Sequence, residues 1–308
     1  MSFELKILGS SSATPVLDRH HTSQWLTFQQ HNILIDCGEA TQYQLIKYKY
    51  KPHKLDYIFI SHLHGDHYLG LVGLLSSMHL LGRSRPLHLF GPPGLDEIIT
   101  IQLKYSSTIL QYPIHFHYLN GSEPEVILNE EAYTVTALPL HHRIPCHGFL
   151  FKEKEKSRRI NKNTLPEDIA LEHLSRLRDG EDIYDEEGVL LYLNKDYTFP
   201  PKKSLSYAYC SDTAYFEPLL DSIGEVDLLY HESTFDNSLK SRAIETFHST
   251  AADAATIAKK ANVGKLIIGH FSSRYRDLDI LLEEASAIFP NTVLGKEGLH
   301  VTIDDQVI

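Results

Sequence analysis

The chain has 308 residues, 42% hydrophobic and 22% charged, which is ample for a large core, but no apolar run reaches the roughly 18 residues of a membrane span. Its net charge of −11 argues against general nucleic-acid binding, which rests on neutralising phosphates with Lys and Arg, although a local basic patch can still set the field at a site. Three scattered cysteines (Cys37, Cys146, Cys210) exclude a disulfide framework and zinc-finger spacing. Because "MSFELKILGSS" reads as a first strand rather than a signal peptide, a reducing cytoplasm is expected.

In chain order, "FELKIL", "QWLTF" and "NILIDC" read as strands. "EATQYQLIKYKY" has helical spacing of apolar residues, "YIFIS" is a buried strand, and "YLGLVGLLSSMHLLG" is a buried helix closed by Gly82. "PLHLFG" is a strand, and "PPGLDEIITIQLKY" opens a helix with Pro at its start. A β-rich stretch follows in "IHFHYL", "EVIL", "YTVTALPL" and "GFLF". The last third alternates: strands "LSYAYC" and "VDLLYHES", helix "STAADAATIAKKANV" with Ser249 as its cap, strand "KLIIGHF", helix "LDILLEEASAIF" and strand "HVTI". This mixture predicts a layered α/β architecture without solenoid repeats. Residues 151–203 break the pattern: "FKEKEKSRRINKN" carries six basic and two acidic side chains, and a strongly acidic stretch follows. Such a polar excursion between two core strands predicts an insertion projecting from a single domain that spans 1–308.

The stretch "ISHLHGDHYLG" places His62, His64, Asp66 and His67 directly after a buried strand. Beyond a strand end the chain can turn, with Gly65 supplying the freedom, so the four side chains can converge. Imidazoles and carboxylates without thiolate suit zinc, manganese or iron. A catalytic zinc uses three protein ligands and keeps one position open, so four in one loop predict two metals completed from elsewhere. Other strand ends supply the candidates: His141 or His142 after "ALPL", Asp212 after "YAYC" and His270 after "LIIG". Nine other histidines, at 20, 21, 31, 53, 79, 88, 115, 117 and 300, have no ligand partner nearby in the sequence and are expected to be structural.

The motif H-x-H-x-D-H after a strand is the signature of metallo-β-lactamase-fold hydrolases. Together with "LGSSSATP", "LIDCGEATQYQL", "SDT", "HESTF", "FHST" and "GHFSSRY", which span almost the whole chain in order, it resembles the ribonuclease Z family of tRNA 3′-processing endonucleases. The resemblance implies a four-layer αββα sandwich with an inserted arm at about 151–203. It implies two zinc ions (manganese or iron being alternatives), one held by His62, His64 and His142, the other by Asp66, His67 and His270, with Asp212 between them. His142 is preferred over His141 because the family's ligand stands six residues before a Gly-aromatic pair, here Gly148-Phe149. The implied reaction is metal-hydroxide attack on precursor tRNA, leaving a 3′-hydroxyl on the tRNA and a 5′-phosphate on the trailer. Asp66 would accept the proton, His248 would donate one to the leaving oxygen, and Glu232 would orient His248. Arg274, Ser272, Tyr275 and Arg19 would meet substrate phosphates. The family's arm carries a Gly-Pro loop and basic residues; here the stretch near "ALEHLSRLRDGEDI" has no Gly-Pro pair and is mostly acidic. A homodimer is also implied, and no membrane partner is expected.

The competing expectation is a hydrolase of small phosphodiesters or other esters on the same fold, which a negative surface suits. A di-iron oxidoreductase is disfavoured, because its relatives carry a carboxylate where this chain has Gly65, and no flavin domain follows.

Overall fold

A computed structural model describes residues 2–304. Two seven-stranded sheets face each other. The first begins as an antiparallel meander of Ser2–Gly9, Ser23–Gln29 and His31–Cys37, then continues in parallel through Tyr57–Phe59, Leu87–Gly91 and Ile114–Tyr118. The second repeats this plan. Glu125–Asn129, Tyr133–Pro139 and His147–Glu153 run antiparallel, and Ser206–Cys210, Leu228–Glu232, Lys265–Gly269 and Thr292–Leu294 run parallel to one another. The strand His300–Thr302 returns to the first sheet and pairs with Ser2–Gly9 in the register Glu4↔Thr302.

Alternation along the strands builds the layers. Phe3, Leu5, Ile7, Tyr57, Phe59 and Phe90 meet Tyr133, Phe149, Phe151, Tyr207 and Tyr209 between the sheets. On the other side of the same strands, Leu34, Ile58, Ile60 and Leu89 lie under the helices Thr41–Lys47, Leu71–Leu80 and Leu95–Tyr105. Ala208, Cys210, Leu229 and Ile268 lie under Ala251–Lys260 and Asp279–Ile288. Strands apolar on both faces read as continuous hydrophobic runs, which is why "YIFI" and "LIIG" stand out in the sequence. The arrangement is a four-layer αββα sandwich. No helix of the described residues is long and apolar enough to cross a membrane.

Three local expectations change. The helix Ala251–Lys260 is capped by Thr250, not Ser249. The Thr250 side chain accepts from Asp253 N at 3.1 Å while Asp253 Oδ2 accepts from Thr250 N at 3.1 Å, a reciprocal capping box. Ser249 Oγ instead donates to Thr213 O at 2.7 Å. Thr250→Ala is expected to lower stability by about 1 kcal/mol in a denaturant titration. At "PPGL" the helix starts at Leu95, behind a left-handed Gly94 (φ 93°), so the prolines precede the helix. Gly65 opens the short helix Gly65–Tyr68 without a positive φ; backbone freedom is not what it provides. Close approach matters at Gly70 instead, where a Cβ would come within 2.1 Å of Gly38 O.

Between Glu153 and Ser206 the chain leaves both large sheets. It forms two small antiparallel pairs, Arg159–Ile160 with Thr198–Phe199 and Ile183–Tyr184 with Leu190–Tyr192, around the helix Leu171–Arg178. Leu177, Ile183, Asn194 and Thr198 are buried there.

Candidate metal centre

The site lies where the parallel strands end, the place at which open α/β sheets gather ligands. The loop after Tyr57–Phe59 supplies His62, His64, Asp66 and His67. The ends of Tyr133–Pro139, Ser206–Cys210 and Lys265–Gly269 bring His142, Asp212 and His270 to it. Gly38, in "DCGEATQ", lets the two loops touch: a Cβ there would lie 2.5 Å from Asp66 O.

Three overlapping groups of side chains could each hold a cation: His62, His64, His142 and Asp212; Asp66, His67 and His270; and Asp212, His248 and His270, which draws Asp212 from the first and His270 from the second. In the first, His64 Nδ1 is 3.0 Å from His62 Nε2 and 3.2 Å from His142 Nε2, and Asp212 Oδ2 is 3.5 Å from His62 Nε2. In the second, Asp66 Oδ2 is 3.4 Å from His67 Nε2 and 3.2 Å from His270 Nε2. Asp212 Oδ1 is 3.2 Å from His270 Nε2 and 3.4 Å from His67 Nε2. One carboxylate thus turns one oxygen to each of the first two groups.

The outer ring nitrogens show that these groups suit a cation. His67 Nδ1 meets Asp36 Oδ2 at 2.7 Å, His142 Nδ1 meets Phe247 O at 2.9 Å and His270 Nδ1 meets Thr234 Oγ1 at 2.9 Å. A carboxylate, a carbonyl or, at Thr234, a hydroxyl whose own proton goes to Glu232 takes the ring proton and fixes the tautomer, so the inner nitrogens present lone pairs. Lone pairs converging at 3 Å need a positive charge among them. Two of the inward atoms, His67 Nε2 and Asp212 Oδ1, are buried without a hydrogen-bond partner.

The protonation balance has the same sense. Burial drives the His62 ring down to about 4, and burial also lowers His64 and His142. Burial opposes charge on His67 too, but Asp212, Asp66 and Asp36 outweigh it and hold that ring well above its ordinary value, so the pocket favours positive charge at this point. Burial works against Asp66 and Asp212, yet the neighbouring imidazoles win and keep both carboxylates well below the usual range.

At the rim, His248 Nδ1 meets Glu232 Oε1 at 2.7 Å. Glu232 is fully buried, and its second oxygen accepts from Thr234 N at 2.9 Å and Thr234 Oγ1 at 2.8 Å. Burial lowers the His248 ring, but the Glu232 carboxylate outweighs that and raises it to about 9. His231, next in sequence, points away, with Nδ1 on Glu232 O at 2.7 Å. Arg274 is exposed, lies 5.7 Å over the Phe235 ring and donates to Ser272 Oγ at 3.3 Å. Tyr275 Oη accepts from Asp236 N at 2.8 Å. Arg19 donates to Tyr275 O at 2.7 Å and Ser272 O at 3.1 Å, so its terminal nitrogens tie the 272–275 loop in place.

One residue escaped the sequence reading. Asp36 is fully buried and accepts from Ser61 N at 2.7 Å, Ser61 Oγ at 2.9 Å and Tyr209 Oη at 2.6 Å, besides holding His67. Its φ of 55° is left-handed, as are those of Phe247 (58°) and His270 (59°), three strained positions around one site. A charged residue ending an apolar strand was the available signal. Asp36→Asn is expected to weaken the affinity for a divalent metal about 10- to 100-fold in a chelator competition.

Residues 3–112, a minority of the chain, match a family described as anti-Pycsar protein Apyc1. The ribonuclease Z of Cytophaga hutchinsonii is 55% identical over 307 residues, covering 100% of this chain and 98% of that protein. The ribonuclease Z of Bacteroides fragilis is 45% identical, covering 98% and 99%. Among solved structures, human tRNase Z, short form, superposes with a TM-score of 0.72 at 25% identity, covering 98% and 99%. The metallo-β-lactamase fold protein YhfI of Bacillus subtilis, at 18% identity and a TM-score of 0.68 over 98% of this chain and 100% of that one, shares the fold. A chain that keeps more than half its residues in common with a ribonuclease Z from end to end belongs to the ribonuclease Z family, hydrolytic nucleases built on the metallo-β-lactamase fold.

Proposed function

We propose that this protein is a zinc-dependent endonuclease that removes the 3′ trailer from precursor tRNA. The observation that carries the reading is Asp212, whose two oxygens face the two ligand groups, with His248 and Arg274 at their rim. His62, His64 and His142 would hold one cation and Asp66, His67 and His270 the other. Two such cations, zinc by the family resemblance with manganese or iron also suited to the donors, would acidify the attacking water and neutralise charge on the phosphoryl oxygens.

The chain's own groups supply the rest. Arg274 pairs with a phosphate oxygen, steadied by Ser272, while Arg19 and Tyr275 fix the loop that carries it. Asp66, held ionised, takes the proton of the attacking water. Water oxygen bonds to phosphorus, and the bond from phosphorus to the 3′ oxygen breaks. His248 delivers its proton to that oxygen, with Glu232 stabilising the charged ring and fixing its tautomer. The tRNA keeps a 3′-hydroxyl and the trailer a 5′-phosphate. His248 and Arg274 have no work to do in a purely structural metal site, which supports a catalytic role.

Residues 151–203 are read as an arm of a single domain that helps grip tRNA away from the cut. Its basic side chains cluster where it joins the body: Arg158 Nε donates to Thr198 Oγ1 at 2.8 Å and Arg159 Nε to Pro200 O at 3.2 Å. A homodimer is part of the proposal, supported by Tyr43 and Ile46, which are 67% and 70% exposed on one short helix. A cytoplasmic location follows from the proposed substrate. Incubation with a trailer-bearing tRNA tests the reading: a cut just 3′ of the discriminator nucleotide is expected. Cleavage elsewhere, or hydrolysis of a small chromogenic phosphodiester alone, would favour the small-ester hydrolase.

A further inference from the structure

Beside His142 the rim carries three aromatic rings that the chemistry above leaves unused. The exposed ring of His141 lies 5.5 Å from Phe247, edge-on, and 5.9 Å from Phe216. The ledge is anchored to the site by its backbone. Phe247 O accepts from His142 Nδ1 at 2.9 Å, His141 N donates to Thr213 Oγ1 at 3.1 Å, and Ala214 N donates to His141 O at 2.9 Å. His248 stands between this ledge and the phosphate side. Its ring is 5.2 Å from His142 and 6.2 Å from Phe235, over which Arg274 lies.

Phe247 closes the helix Lys240–Thr246 in the left-handed conformation common at helix C-termini (φ 58°), which holds its ring at the rim. A neighbouring cleft marks the ledge for a ligand. Beyond Phe216 opens a cleft of about 330 Å³, walled by Leu138, Pro139, Pro218 and Leu219 with Glu123 and Asp221 among its polar groups. No Lys or Arg is among the described residues lining it. A phosphate would find no partner in that cleft. A flat uncharged ring would find the Phe216 ring, apolar walls and carboxylates that accept N–H donors.

We propose that His141, Phe216 and Phe247 form a nucleobase-stacking ledge for a nucleotide flanking the scissile phosphate, an inference that rests on the RNA-cleaving reading. Stacking needs no net positive charge, so it gives a chain of net charge −11 a hold on RNA that phosphate neutralisation alone would not. Every base has a π face, so the ledge tolerates different sequences around the cut.

The test compares kcat/KM on three precursor tRNAs: intact, abasic at the nucleotide 5′ of the cut, and abasic at the first trailer nucleotide. The wild type is expected to prefer the intact substrate over one abasic substrate by about 5- to 150-fold, the range for one stacked base. The H141A/F216L double variant, in which leucine keeps the apolar packing at 216, is expected to lose most of that preference, and Phe216→Trp to keep it. Each preference is a ratio within one protein, so partial unfolding of a variant does not disturb it. Equal rates on all three substrates, or an undiminished preference in the double variant, would overturn the ledge. Failure of the wild type to cleave even the intact tRNA would overturn the nuclease reading itself, and the ledge with it.

Discussion

Asp66→Ala is expected to lower kcat by more than about 10⁴-fold, the upper end of what a positioned acid or base contributes. The excess arises because one carboxylate serves two ends. Its Oδ2 sits 3.4 Å from His67 Nε2 and 3.2 Å from His270 Nε2, so its removal opens the second ligand group. The proton acceptor is lost in the same step. Asp66→Asn separates the two roles, since a neutral amide oxygen can still ligate but is a very poor base. That variant is expected to retain most of the bound metal while remaining nearly inactive. Turnover of either variant within tenfold of the wild type, measured on precursor tRNA, would remove Asp66 from the mechanism.

The second large effect belongs to His248. Its loss to alanine is expected to reduce kcat on precursor tRNA by about 10²- to 10⁴-fold. A nitrophenyl phosphodiester loses a phenolate that leaves without a proton, so the same variant should lose far less activity on it. That contrast distinguishes proton donation from a packing role. The pH dependence follows from the ring's surroundings. Burial pulls the His248 ring down, Glu232 overrides it, and the ring titrates at about 9. A general acid works only while protonated, so kcat is expected to fall as pH rises through about 9. Glu232→Gln keeps an acceptor for Nδ1 but removes the charge, so the alkaline limb should move to lower pH. The new amide also faces Thr234 N–H, which now donates to Glu232 at 2.9 Å, so the melting temperature is expected to fall as well. An alkaline limb that stays in place in Glu232→Gln would detach the carboxylate from the proton donor.

How much of this was legible beforehand depends on how local the signal is. His62, His64, Asp66 and His67 share one loop, and a pile of donors after "YIFI" has few other uses. His142, Asp212 and His270 are each ordinary strand-end residues; the topology that aligns three strand ends with that loop unites them. The layered α/β architecture was legible because strand runs and helical patterns alternate, while the four-layer sandwich followed from the family resemblance. Asp36 was not, since its role depends on His67, 31 residues further on, and on Tyr209, 173 residues away. Arg19 is expected at the substrate only through the resemblance to the family's basic loop, and no sequence pattern shows which backbone its guanidinium meets. In the fold its guanidinium ties down the 272–275 loop. The cap shifted from Ser249 to Thr250 because both are good cap residues, and only Asp253 three positions further on decides between them. The strand Thr292–Leu294 has three residues, too few for any alternation to show.

The account turns on seven side chains from four segments enclosing a pair of cations with Asp212 between them. Elemental analysis of the purified, active enzyme measures that directly. Two transition-metal ions per chain are expected, with activity lost on chelation and restored as the second equivalent of zinc is added back. Full activity in protein free of transition metal would contradict the account.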